Sequence, residues 1–142
     1  MFKALLAALL LRSAVSQPIA TNCNTASVFK VDQIAVEYQA PPINSTLIVS
    51  YTVPSVVSDG TATFVCTLNG YPVINEQTPL CQETVCPIVA GFHNDSNSFQ
   101  TGLASGTLSC TTKWLAPDSS VLRCIKVVEA RTLLAPGNTP SP

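Results

Sequence analysis

Leu108, Cys110, Thr112 and Trp114 alternate with Ser109, Thr111 and Lys113. In an extended chain successive side chains point to opposite faces. This alternation therefore puts the first four on one face of a strand, with Trp114 toward the core, and the other three toward solvent. A two-residue period does not suit a helix. The segments Leu47 to Val53 and Thr61 to Leu68 share the same enrichment in Val, Thr, Ile and aromatics, residues that fit a pleated, half-buried surface. Turn formers stand between such segments, at Pro41-Pro42, Asp59-Gly60, Asn69-Gly70, Asn94 to Asn97 and Pro117-Asp118-Ser119-Ser120. Strands at that spacing predict an all-β chain, an immunoglobulin-like antiparallel β-sandwich of about seven strands.

The 142 residues suffice for one domain with its own core, and no internal repeat or second domain is legible. Hydrophobic residues at 46% against charged residues at 11% are the reverse of a disordered composition. Seven Lys and Arg nearly cancel eight Asp and Glu, without a basic run, which removes the electrostatic basis for binding nucleic acid. Residues 1–16 read as a secretory signal peptide: Lys3 supplies the positive region, Ala4 to Leu11 the apolar stretch, and Ala14-Val15-Ser16 the small residues of a cleavage site. That apolar stretch is far shorter than the roughly 20 residues a membrane-spanning helix needs. Cleavage after Ser16 leaves a domain over residues 17–131 and a tail over 132–142. Pro136, Gly137, Pro140 and Pro142 prevent the tail from continuing a central strand, so it is expected to be disordered. Losing Lys3 and Arg12 leaves five basic against eight acidic residues, a net charge of about −3 that gives little attraction to anionic membranes. The mature chain is expected to be soluble and outside the cytosol, secreted or in the endolysosomal lumen.

Export changes the meaning of the six cysteines, since an oxidising compartment closes an even set into disulfides. Six admit fifteen connectivities, and spacing alone selects none. Zinc needs paired Cys-x-x-Cys or Cys/His clusters, whereas the one close pair is Cys81 and Cys86 and the one histidine is His93, so no metal and no cofactor is expected. His93 beside Asn94 and Asp95 reads as a solvated group in a polar loop. Without a second histidine or a Gly-x-Ser-x-Gly elbow there is little material for a hydrolase, and no enzyme is expected.

Two blocks of sequence resemble the ML domain of secreted lipid-recognition proteins. The first runs Cys81-Gln82-Glu83-Thr84-Val85-Cys86-Pro87-Ile88-Val89-Ala90-Gly91, similar to the family's short disulfide loop followed by Cys-Pro-Ile and a nearby glycine. The second joins Thr111-Thr112-Lys113-Trp114-Leu115-Ala116-Pro117-Asp118 to Leu122-Arg123-Cys124-Ile125-Lys126-Val127, similar to the final hairpin of the fold. Asn69-Gly70-Tyr71-Pro72-Val73-Ile74 resembles the strand beside the family's cavity mouth, so the likeness extends from Cys23 through Val128.

The resemblance implies disulfides Cys81–Cys86 and Cys23–Cys124. The family's early cysteine hairpin is replaced here by Ala40-Pro41-Pro42, leaving Cys66 and Cys110. Paired, these two bridge neighbouring strands or the two sheets; unpaired, they are small buried hydrophobes. The resemblance further implies a lipid cavity between splayed sheets, holding a sterol or phospholipid, in a monomer that touches membranes only transiently. Candidate lining residues are Phe64, Tyr71, Val73, Ile74, Phe99, Leu103, Leu108 and Trp114. Phe99 and Leu103, which flank Thr101-Gly102, are placed at the mouth. Few basic residues leave no evident bidentate-arginine phosphate clamp, so slight head-group selectivity is expected. The rival reading is a secreted immunoglobulin-like interaction module with a filled core, in which each of those residues is plain core. The sequons at Asn44-Ser45-Thr46 and Asn94-Asp95-Ser96 mark Asn44 and Asn94 as glycan acceptors.

Overall fold

A computed structural model describes residues 18–39, 44–100 and 106–131. The signal segment, the tail, Pro41-Pro42 and Leu103 lie outside the described residues. The described chain forms eight strands and one short helical turn: β1 (Ile19–Asn22), β2 (Lys30–Gln39), β3 (Asn44–Val53), β4 (Thr61–Leu68), β5 (Tyr71–Pro79), α1 (Leu80–Glu83), β6 (Gly91–Gln100), β7 (Gly106–Leu115) and β8 (Val121–Arg131). They make a five-stranded sheet in the order β1-β8-β7-β4-β5 and a three-stranded sheet in the order β2-β3-β6. Every named pairing is antiparallel. The chain is a β-sandwich, as its two-residue periodicity predicts.

The segment Asn94 to Asn97, read from its composition as a loop, is strand. Its register against β3 is continuous, with Asn94 opposite Ser50, Asp95 opposite Val49, Ser96 opposite Ile48 and Asn97 opposite Leu47. Two physical causes hide this strand. It lies at the edge of its sheet with most of its side chains exposed, and Asp95, which it turns inward, is itself polar, accepting from Tyr51 on the neighbouring strand and from Arg123 across the sandwich.

Pairing places residues directly opposite one another on the same face. In the five-stranded sheet this builds three inward rows: Ala62, Trp114 and Arg123; then Phe64, Thr112 and Ile125; then Cys66, Cys110 and Val127. From the smaller sheet, Tyr51 meets Trp114 and Arg123 of the first row, and Val49 and Val53 join the same buried core. Phe29, Leu80, Ile88 and Leu122 close that end of the sandwich, and all four are buried. Five strands face three, and β5 is left uncovered: from Tyr71 through Gln77 every residue is exposed. Asn69 and Gly70 both take positive φ, 51° and 83°, which the two-residue turn from β4 to β5 requires.

Three disulfides are present. Cys23–Cys124 joins the end of β1 to β8 across 101 residues, and Cys81–Cys86 closes the turn after α1. Cys66 and Cys110 are cross-strand partners whose Cα atoms stand 4.1 Å apart, so this bond lies within one sheet and does not join the two.

Candidate functional site: an inter-sheet cavity with a charged floor

Beside the first inward row a cavity of about 280 Å³ opens between the two sheets. Leu47 of β3, Phe64 of β4, and Ile125 and Val127 of β8 form its apolar walls, with Thr112 and Cys110 of β7 between them. Trp114 and Arg123 form its floor, where it abuts the filled aromatic end. The outer side is polar: Asn97 belongs to the edge strand β6, while Glu76 and Thr78 belong to the uncovered strand β5. Thr78 Oγ1 donates to Glu83 Oε1 at 3.0 Å, which ties β5 to α1 at this rim.

Residues of two further strands, Tyr51 of β3 and Asp95 of β6, hold the floor from behind. Arg123 has only 4% of its side chain exposed, and its guanidinium carbon lies 3.7 Å from the Trp114 ring centre and 4.9 Å from that of Tyr51. Its Nη1 donates to Asp95 Oδ2 at 3.1 Å, and the Tyr51 hydroxyl donates to the same oxygen at 2.8 Å. Burial opposes the charged guanidinium and pulls Arg123 below its ordinary value, while Tyr51 and Asp95 act to hold the charge. Burial, and then the bond to Asp95, pushes the Tyr51 phenol well above its own ordinary value. Tyr51 also stacks between Phe29 and His93, with centroids at 5.5 and 5.4 Å. His93 is not in a loop: it lies on β6 and donates through Nε2 to the Val89 carbonyl at 2.7 Å.

Of the residues selected from sequence, Phe64 and Trp114 line the cavity. Leu108 is half-buried on the inward row with Leu68 and Glu129, past the lining. Tyr71, Val73 and Ile74 are 76%, 53% and 38% exposed on β5 and stand outside the lining. Phe99 pairs with Ser45 through the backbone, and Leu103 lies outside the described residues. Sequence reading passed over Leu47, Ile125, Val127 and Arg123. The period of two on β8 was available as a signal, because Arg123, Ile125 and Val127 share a face that excludes Lys126. Among the described residues no three His, Cys, Asp or Glu side chains are placed to hold a metal, and no helix is long and apolar enough to cross a membrane.

No family model matches the sequence, and no curated protein matches it. Solved structures do. Chicken MD-1 complexed with lipid IVa is 12% identical and superposes with a TM-score of 0.60, over 82% of this chain and 90% of that one. A Niemann-Pick type C2 protein from the Japanese carpenter ant is 14% identical with a TM-score of 0.58, over 80% of this chain and 99% of that one. The chain has the ML-domain fold. At such identities the likeness resides in backbone and topology, so the ML-domain sandwich is shared while the side chains lining this cavity are the chain's own.

Proposed function

We propose that this chain binds a lipid between its two sheets, as a secreted protein, with the apolar part of the lipid against Leu47, Phe64, Ile125 and Val127. The observation that carries this reading is the cavity itself. Where a filled-core sandwich interdigitates its inner faces, this one leaves about 280 Å³ open between apolar walls. The ML-domain fold of a protein crystallised with lipid IVa supports the same reading. Burying acyl methylenes at ~0.8 kcal/mol each offsets the ordering cost of association. Three disulfides suit the oxidising compartment that the signal segment implies.

The test is native mass spectrometry of secreted protein, followed by titration with a fluorescent sterol and a fluorescent phospholipid. Thr112 points into the cavity between Phe64 and Ile125, so Thr112→Phe fills the space from within. The variant is expected to keep its thermal stability and lose lipid. Wild type that carries and binds no lipid makes the filled-core interaction module the better reading.

A further inference from the structure

The inward rows place one charge where the cavity ends. Arg123 is 3% exposed, yet it lines the cavity alongside Ala62 and Trp114. A guanidinium is a donor-only group with five N–H bonds to place. Among the described residues its one hydrogen bond is Nη1 to Asp95 Oδ2, and that oxygen also accepts the Tyr51 hydroxyl. Asp95 is not part of the cavity lining, so the polar chemistry that the floor presents to a ligand is a cation's. A methyl terminus seated there would cover a buried cation without replacing the water it displaces, an arrangement that costs free energy. An anionic oxygen replaces that water with charge-assisted hydrogen bonds, and a planar carboxylate fits the planar guanidinium fork.

The rim argues in the same direction. Glu76 and Glu83 line the outer side, so an acidic head group left at the mouth would meet carboxylates, whereas one carried to the floor meets Arg123. The cavity, at about 280 Å³, lies just below the ~300–1,000 Å³ common for drug-sized ligands and suits one chain better than two.

We propose that the cavity takes a single-chain lipid carboxylate head first, with its carboxylate on Arg123 and its chain against Leu47, Phe64, Ile125 and Val127. This rests on the lipid-binding reading above and names the ligand class of that same site.

The probes are dodecanoate, dodecanol and methyl dodecanoate, titrated by calorimetry at about pH 8, where a carboxylic acid is ionised. Wild type is expected to bind dodecanoate about tenfold or more tightly than either neutral probe, the size of a charged hydrogen bond inside a site. Arg123→Gln is expected to lower dodecanoate to the affinity of dodecanol while leaving dodecanol unchanged. Asp95→Asn removes the carboxylate that competes for the guanidinium, so it is expected to tighten dodecanoate and not dodecanol, a change that a purely structural Arg123 does not produce. If Arg123→Gln fails to fold, the wild-type preference and the Asp95→Asn comparison decide. Equal affinity of wild type for acid and alcohol overturns the head-first carboxylate and leaves the cavity reading standing. So does binding of a fluorescent sterol or phospholipid with none of the three probes bound. Binding of no lipid at all overturns both.

Discussion

Arg123 of β8 and Asp95 of β6 join the two sheets by a 3.1 Å hydrogen bond between opposite charges, at the level where the packed core gives way to open cavity. The bond spans the sandwich between strands that have no backbone pairing with each other. It ties the sheets together at the edge of the cavity, beside the edge-to-face contact of Tyr51 with Trp114.

Arg123→Met should therefore be destabilising, leaving Asp95 with Tyr51 as its partner and removing the cation from the Trp114 face. Asp95 keeps 29% of its side chain exposed, so we expect a loss of about 3 kcal/mol, near the lower end of what breaking a buried pair costs. Adding Asp95→Asn should restore part of that loss, since the uncompensated charge is then gone. Urea unfolding of the two single variants and the double variant measures the coupling.

Tyr51 makes the fold sensitive to alkali. Its phenol is held neutral by burial first and by Asp95 second, so its folded pKa exceeds the unfolded value of about 10. Below that pH both states keep the proton and the contribution is intact. Above it the unfolded chain loses a proton that the folded chain retains, so stability falls as pH rises, by at most ~1.4 kcal/mol per unit from this group. Tyr51→Phe should flatten that part of the profile in unfolding curves recorded above about pH 10.

Peptide mapping without reduction should recover Cys23 with Cys124, Cys66 with Cys110 and Cys81 with Cys86. Removing each pair as a double alanine variant should rank by loop length. The sequence separations of 101, 44 and 5 residues correspond to ~4.7, ~4 and ~2 kcal/mol in the chain-entropy account. Cys81 recovered with any other partner contradicts the turn after α1.

Asn94 should carry a glycan when the protein is made in a eukaryotic secretory host. It is exposed on the edge strand β6, within Asn94-Asp95-Ser96. Peptide N-glycosidase should lower the mass of the wild-type protein, and Asn94→Gln should remove that portion of the change. The other sequon begins at Asn44, the first residue of the central strand β3, so the two variants separate the sites.

The alternation at Leu108 to Trp114 was enough to specify a strand, the face it buries and the inward position of Trp114, because a period of two is a local property of the extended chain. The Asn69-Gly70 turn was legible for the same reason: its positive φ values belong to those two residues. For Cys66 and Cys110 the sequence leaves open whether they pair at all and, if paired, whether they bridge neighbouring strands or facing sheets. Only the register of β4 on β7 decided it. The polar run Asn94 to Asn97 became a strand for a reason outside itself, since β3 supplies its hydrogen bonds and Tyr51 and Arg123 supply the partners of Asp95. Composition places Tyr71, Val73 and Ile74 among cavity residues as readily as Leu47, Ile125 and Val127, but three strands facing five leave those three residues of β5 exposed and put the cavity over β4, β7 and β8. Arg123, one basic residue among seven in the sequence, acquires its place on the cavity floor only where two sheets meet, because burial and charge pairing are properties of neighbours distant along the chain.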